Sequence, residues 1–110
     1  MAARLAAIVE SSEDAILGKS LDGIITNWNA GAERLLGYSA AEIVGRSVMM
    51  LVPPERAEEE AQILERVGAG LGIAPFETAR LHKDGALVEV SLEVSPVRDT
   101  AGRLVGAATI

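Results

Sequence analysis

Residues 24–46, IITNWNAGAERLLGYSAAEIVGR, switch from strand to helix within a few positions, and that switch limits what the rest of the chain can form. Ile24, Thr26 and Trp28 alternate with Ile25 and Asn27 in a period of two rich in β-branched residues, and Asp22-Gly23 before them supplies a turn. The pattern predicts a strand entered from a hairpin, with Thr26 and Trp28 sharing a face. Asn29 stands where a helix N-cap belongs, since its short side chain accepts from the first free N–H groups, and Ala30, Ala32, Glu33, Leu35 and Leu36 follow at helical spacing. Gly37 ends that helix. Ser39 with Glu42 three residues on is a capping box for a second short helix over residues 40–44, closed by Gly45.

The flanking stretches complete the pattern. Leu5, Ile8, Val9 and Ser12 make residues 1–12 an amphipathic helix, too short to stand alone. Residues 15–19 read as the first strand of the hairpin. Residues 48–52 are an apolar run stopped by Pro53-Pro54, and Pro54 suits the first turn of a longer helix with Glu55, Glu58, Glu59 and Glu60 near its positive end. Ala57, Ala61, Leu64 and Val67, with Ile63 beside them, form the expected buried stripe, and the glutamates read as a solvated face. Residues 76–82 and 87–97 are two long strands joined by Lys83-Asp84-Gly85, the second alternating strictly from Val88 to Val94, and residues 104–110 are the last. The expected fold is α+β: five antiparallel strands with short helices inserted between the second and third, preceded by the flanking helix, so that residues 1–12 flank a core of residues 13–110.

Composition removes several function classes. A chain of 110 residues, 49% apolar and 24% charged, makes one soluble domain with room for a small pocket only. A net charge of −6 with scattered Lys and Arg argues against a nucleic-acid surface. No apolar run reaches the roughly 20 residues that cross a bilayer, and the absence of cysteine removes disulfides, thiolate nucleophiles and thiolate metal sites. A cytoplasmic location is expected.

The order of strand, cap, short helix, Gly-Tyr, second helix and Gly resembles the core of PAS sensor domains. The residues that carry the likeness are Asp22-Gly23, Trp28-Asn29, Ala32, Glu33, Leu36, Gly37-Tyr38, Glu42 and Gly45, then Pro53-Pro54, Phe76-Glu77, Lys83-Asp84-Gly85 and Ser95-Pro96. Such a resemblance implies a bacterial signalling module. The light-sensing branch needs a cysteine near residues 46–52 for covalent flavin chemistry, and this chain has none. The haem-binding branch has a His where Glu59 aligns and an Arg where Phe76 aligns, and both departures count against haem. No cofactor is expected.

Catalysis lacks its parts. His82 is the only histidine and sits beside a turn, no phosphate loop or metal-binding helix motif is present, and Ser11, Ser12 and Ser39 read as caps. A small cone-like α+β enzyme would need a buried Asp or His, which the pattern does not offer, so the domain is expected not to be an enzyme. What remains is a pocket between sheet and helices, lined by Thr26, Trp28, Ala32, Leu36, Ile43, Met50, Ile63, Val67, Phe76, Thr78, Leu92 and Val94. That lining suits an apolar small molecule such as a fatty acid. The expected role is a sensory or regulatory module of a larger signalling protein, such as a histidine kinase or a cyclic-dinucleotide enzyme, working by ligand sensing, by dimerisation, or as a ligand-free dimerisation scaffold. A homodimer would use Leu5, Ile8 and Val9 with the outer sheet face, where the alternation places Ala79, Leu81, Leu87, Val105 and Ala107.

Overall fold

The structure, a computed structural model, describes residues 14–110; the helix expected over residues 1–12, with Leu5, Ile8 and Val9, lies outside the described residues. In chain order the elements are β1 (Leu17–Ser20), β2 (Ile25–Trp28), α1 (Ala30–Leu36), α2 (Ala40–Ile43), a 3-10 turn (Val48–Leu51), a second 3-10 turn (Pro54–Arg56) leading into α3 (Ala57–Gly68), then β3 (Ile73–Leu81), β4 (Leu87–Arg98) and β5 (Leu104–Thr109). The five strands form one antiparallel sheet in the order β2-β1-β5-β4-β3. β2 and β3 follow one another in sequence yet stand at opposite edges. The helices that join them must therefore cross one face of the sheet, which gives the expected α+β layering.

The caps work as their chemistry predicts. Asn29 Oδ1 accepts from Ala32 N at 2.9 Å. Gly37 takes the left-handed conformation, φ 85°, that ends α1, and its N–H reaches Glu33 O at 2.8 Å. Both halves of the Ser39/Glu42 box form, at 3.3 Å and 2.7 Å.

Three departures from the expected pattern have local causes. The register of β1 on β2 shifts between Gly18 and Lys19, with Gly18 opposite Asn27 and Lys19 opposite Ile25, which leaves Thr26 as the extra residue of a bulge. Ile25 and Trp28 are therefore the buried pair of β2, and Thr26 is exposed with its hydroxyl on Asn27 Oδ1 at 2.9 Å. On α3 the buried residues are Glu60, Ile63 and Val67, with Ala57 and Leu64 half-buried and Ala61 exposed, so the buried stripe begins about one turn later than expected and on a glutamate. Ala107 pairs with Lys19 and Pro96 and is buried beneath α3, not on the outer face. Ala79 and Leu81, both half-buried, and exposed Leu87 do lie on the face away from α3.

Packing forms two clusters. Leu17, Ile25, Trp28, Ala32, Leu36, Ile43, Val48 and Leu51 fill the space under α1 and α2. Ile63, Val67, Leu92, Val94 and Ala107 fill the space under α3. Truncating any one of the larger side chains to Ala costs about 2–5 kcal/mol.

Candidate functional site

Between the two clusters a cavity of about 460 Å³ opens, with aliphatic walls from Leu17, Leu36, Val48, Leu51, Val90 and Leu92. Its volume falls in the ~300–1,000 Å³ range of small-molecule sites. Lys19, Glu60, Arg80 and Thr109 also line it, together with the exposed Asp14, Glu89, Ser91 and Glu93, so the pocket is partly open to solvent and is not the aliphatic box that the sequence pattern implies.

These polar residues converge because of the topology. Lys19 follows Leu17 at strand spacing on β1 and points to the helix side. Thr78 and Arg80 do the same on β3. α3 packs on β3, β4 and β5, which brings its first turn between Lys19 and Arg80. Lys19 Nζ donates to Glu60 Oε1 at 2.8 Å, with both side chains about 2% exposed. Arg80 Nη1 donates to Glu59 Oε2 at 3.1 Å and to the Ala79 carbonyl at 2.8 Å, while the Thr78 hydroxyl donates to the same Glu59 oxygen at 2.7 Å. Arg80 Nη2 stands 4.0 Å from Glu60 Oε2. That oxygen and Thr109 Oγ1 are buried without a hydrogen-bond partner among the described residues. Each such group is costly to keep dry, and both belong to residues that line the cavity.

Of the residues expected in the pocket, Leu36 and Leu92 line the cavity. Trp28, Ala32 and Ile43 are packed in the cluster under α1 and α2, with Met50 half-buried against it. The Trp28 N–H is committed to the Tyr38 carbonyl at 2.8 Å. Ile63, Val67 and Val94 fill the other cluster, with Phe76 half-buried against it. Thr78 belongs to the ionic network. The sequence pattern singled out neither the wall residues Leu17, Val48, Leu51 and Val90 nor the polar Lys19, Glu60, Arg80 and Thr109. For Glu60 a signal exists: 60, 63, 64 and 67 are the i, i+3, i+4, i+7 positions of one helix face, with a glutamate at its head.

Haem does not fit these residues. Glu59, at the aligned ligand position, is already held by Arg80 and Thr78. His82 sits at the β3–β4 turn and is not among the cavity residues. Met49 is 40% exposed. Among the described residues no group of three or more His, Cys, Asp or Glu side chains is placed to hold a metal ion. Covalent flavin attachment through a thiol has no residue to use, because the chain has no cysteine.

A five-stranded antiparallel sheet, crossed on one face by short capped helices that roof a small cavity, defines the class of small sensor domains. The chain belongs to the PAS family: the family model described as PAS fold matches residues 3–109. It is a sensor domain of the signalling kind. Among curated proteins it is 32% identical over 87 residues, 74% of this chain, to a probable serine/threonine-protein kinase of Dictyostelium discoideum, and spans 6% of that protein. It is 26% identical over 103 residues, 94% of this chain, to the signal transduction histidine-protein kinase AtoS of Escherichia coli, and spans 16% of it. The PAS domain of a protein from Colwellia psychrerythraea superimposes with a TM-score of 0.86 at 30% identity, covering 98% of this chain and 92% of that one. An RNA-binding light-oxygen-voltage receptor superimposes with a TM-score of 0.82 at 25% identity, covering 99% of this chain and 31% of that one. No helix among the described residues is long and apolar enough to cross a membrane.

Proposed function

We propose that this domain reads a small molecule in its partly open cavity and passes the occupancy to a covalently linked output domain in a larger cytoplasmic signalling protein. A histidine kinase of the AtoS kind is the parent that the likeness favours. The domain carries no catalysis of its own. One observation supports the reading above the others: a cavity of about 460 Å³ persists between two packed clusters in a small domain that needs most of its apolar side chains for stability. The likeness to a light-oxygen-voltage receptor raises a flavin as occupant, which here would be held without a thiol bond. The purified protein is nevertheless expected to be colourless. Native mass spectrometry beside an absorption spectrum tests the reading. A co-purifying small molecule, or a rise in melting temperature with added apolar ligands, supports it. A flavin envelope or Soret band that survives gel filtration refutes the colourless expectation. A protein with no bound mass and no ligand-dependent shift refutes sensing by the cavity.

The second reading is a homodimer through the outer sheet face. Leu81 and Leu87 pair directly there beside half-buried Ala79, and Val97 and Val105 are 41% and 48% exposed. Such a face is more apolar than a solvated sheet face usually is. Sedimentation equilibrium of the protein with Leu81→Lys and Leu87→Lys checks it: association should weaken, and a wild-type protein monomeric at high concentration would remove the reading.

A further inference from the structure

We infer that the buried ionic cluster at one end of the cavity selects the ligand's head group, admitting apolar molecules that end in a neutral hydrogen-bond donor, an alcohol or a primary amide, and rejecting carboxylates. This rests on the reading of the cavity as a ligand site and adds the class of ligand. Lys19 and Arg80 stand against the Glu60 carboxylate and one Glu59 oxygen at 2.8–4.0 Å, and the exposed Arg56 lies 3.8 Å from the other Glu59 oxygen, so each buried cation already has its counter-charge. A further carboxylate brought in by a ligand would find no free counter-charge beside Lys19, Glu60 and Arg80, whose side chains are 2–7% exposed, and Asp14, Glu89 and Glu93 also line the cavity, so it carries a large desolvation and repulsion penalty. A fatty acid, which an aliphatic lining would welcome, is therefore the wrong head on the right tail.

The cluster also specifies what a neutral head must do. Glu60 Oε2 has no hydrogen-bond partner among the described residues, and a carboxylate oxygen can only accept. It wants a donor. Thr109 Oγ1 is in the same state and can donate or accept. Lys19 Nζ uses one of its three N–H donors on Glu60 Oε1. A hydroxyl or amide can donate to Glu60 and accept from Lys19 or Thr109, and so relieves groups that are costly to leave unpaired. A ketone of equal size can only accept, and leaves the Glu60 oxygen as it was.

The experiment compares four probes of matched length, decanol, decanamide, decanoate and methyl octyl ketone, by calorimetry or thermal shift on the whole chain. Decanol and decanamide should bind at least about tenfold more tightly than decanoate and the ketone. Glu60→Gln leaves the cluster with one uncancelled cation, so decanoate should gain and the order of decanol and decanoate should close or reverse. Thr109→Val, a swap of near-equal shape, removes one of the groups a head can pair with and should weaken decanol and decanamide. It serves as the variant test if Glu60→Gln does not fold, as judged by circular dichroism and urea unfolding. Equal binding of all four probes to the wild-type protein, or tightest binding of decanoate, overturns head-group selection while the cavity reading stands. No binding of any probe overturns both.

Discussion

Replacing Asn29 tests whether one side chain merely caps a helix or joins three segments. Its Oδ1 accepts from Ala32 N at 2.9 Å and from Ile16 N at 2.8 Å, and its Nδ2 donates to the Asp14 carbonyl at 2.9 Å, all from a residue only 1% exposed. An N-cap alone is worth about 1 kcal/mol. The bond to Ile16 N, half-buried at the entry to β1, adds about 1 kcal/mol, and the bond to the exposed Asp14 adds less because water can replace it. Asn29→Ala should therefore cost about 2–3 kcal/mol, a sizeable part of the ~5–15 kcal/mol that a small domain has. Asn29→Asp keeps both acceptor contacts but turns an oxygen toward the Asp14 carbonyl and buries a carboxylate, so it should cost less than Ala and still more than nothing. Ser39→Ala is the control, since its cap bond is exposed and 3.3 Å long. Urea midpoints at unchanged slope give the comparison. If Asn29→Ala costs no more than Ser39→Ala, the links to Ile16 and Asp14 contribute nothing and Asn29 is only a cap.

Three further outcomes follow from the contacts. Gly37→Ala should destabilise by about 1–3 kcal/mol, because a Cβ at φ 85° is strained and would lie 2.5 Å from the His82 ring; His82→Ala should recover the steric part in a double-mutant cycle read by urea unfolding, and additive losses would refute the clash. The Lys83 ammonium, and then the Ser39 N–H, hold the Glu42 carboxyl below its usual range, so its contribution is complete above the unfolded carboxylate range and is lost as pH falls through the lowered folded value. Lys83→Ala should then flatten the acid-side loss of urea midpoint, and an unchanged slope removes the pair from the account. Lys19→Met alone should cost about 3–5 kcal/mol by stranding Glu60, whereas Lys19→Met with Glu60→Leu should sit near wild type in thermal unfolding, and a double variant as unstable as the single one would show that the pair itself supports the fold.

The elements were legible wherever a residue type permits only one local conformation. Asn29, Gly37 and the Ser39/Glu42 box bound short helices by hydrogen-bond chemistry that needs no partner from elsewhere in the chain. Period-two alternation likewise placed Leu92 and Val94 indoors. It failed at Thr26 because a bulge is a property of the pair of strands: the extra residue appears only when Gly18 and Lys19 of β1 are laid against β2. It failed at Ala107 because strand order sets which side of β5 lies under α3, and no local pattern encodes strand order.

Glu60 shows a different kind of failure. Three neighbouring glutamates at a helix start are most simply read as a solvated, dipole-favoured face, and Glu58 is indeed exposed. The angular spacing of residues 60, 63, 64 and 67 says instead that Glu60 must enter the interior, and the two rules conflict on one residue. Lys19 decides between them, since a lysine one strand step from Leu17 on the helix-covered side needs a buried counter-charge, and only the crossing of α3 can supply it. Two improbable burials in sequence, a lysine on a strand and a glutamate on an apolar helix face, thus become one compensated pair in space. A pair of this kind adds little net stability over apolar side chains of similar size, so the needs of the fold alone do not account for its position against the cavity.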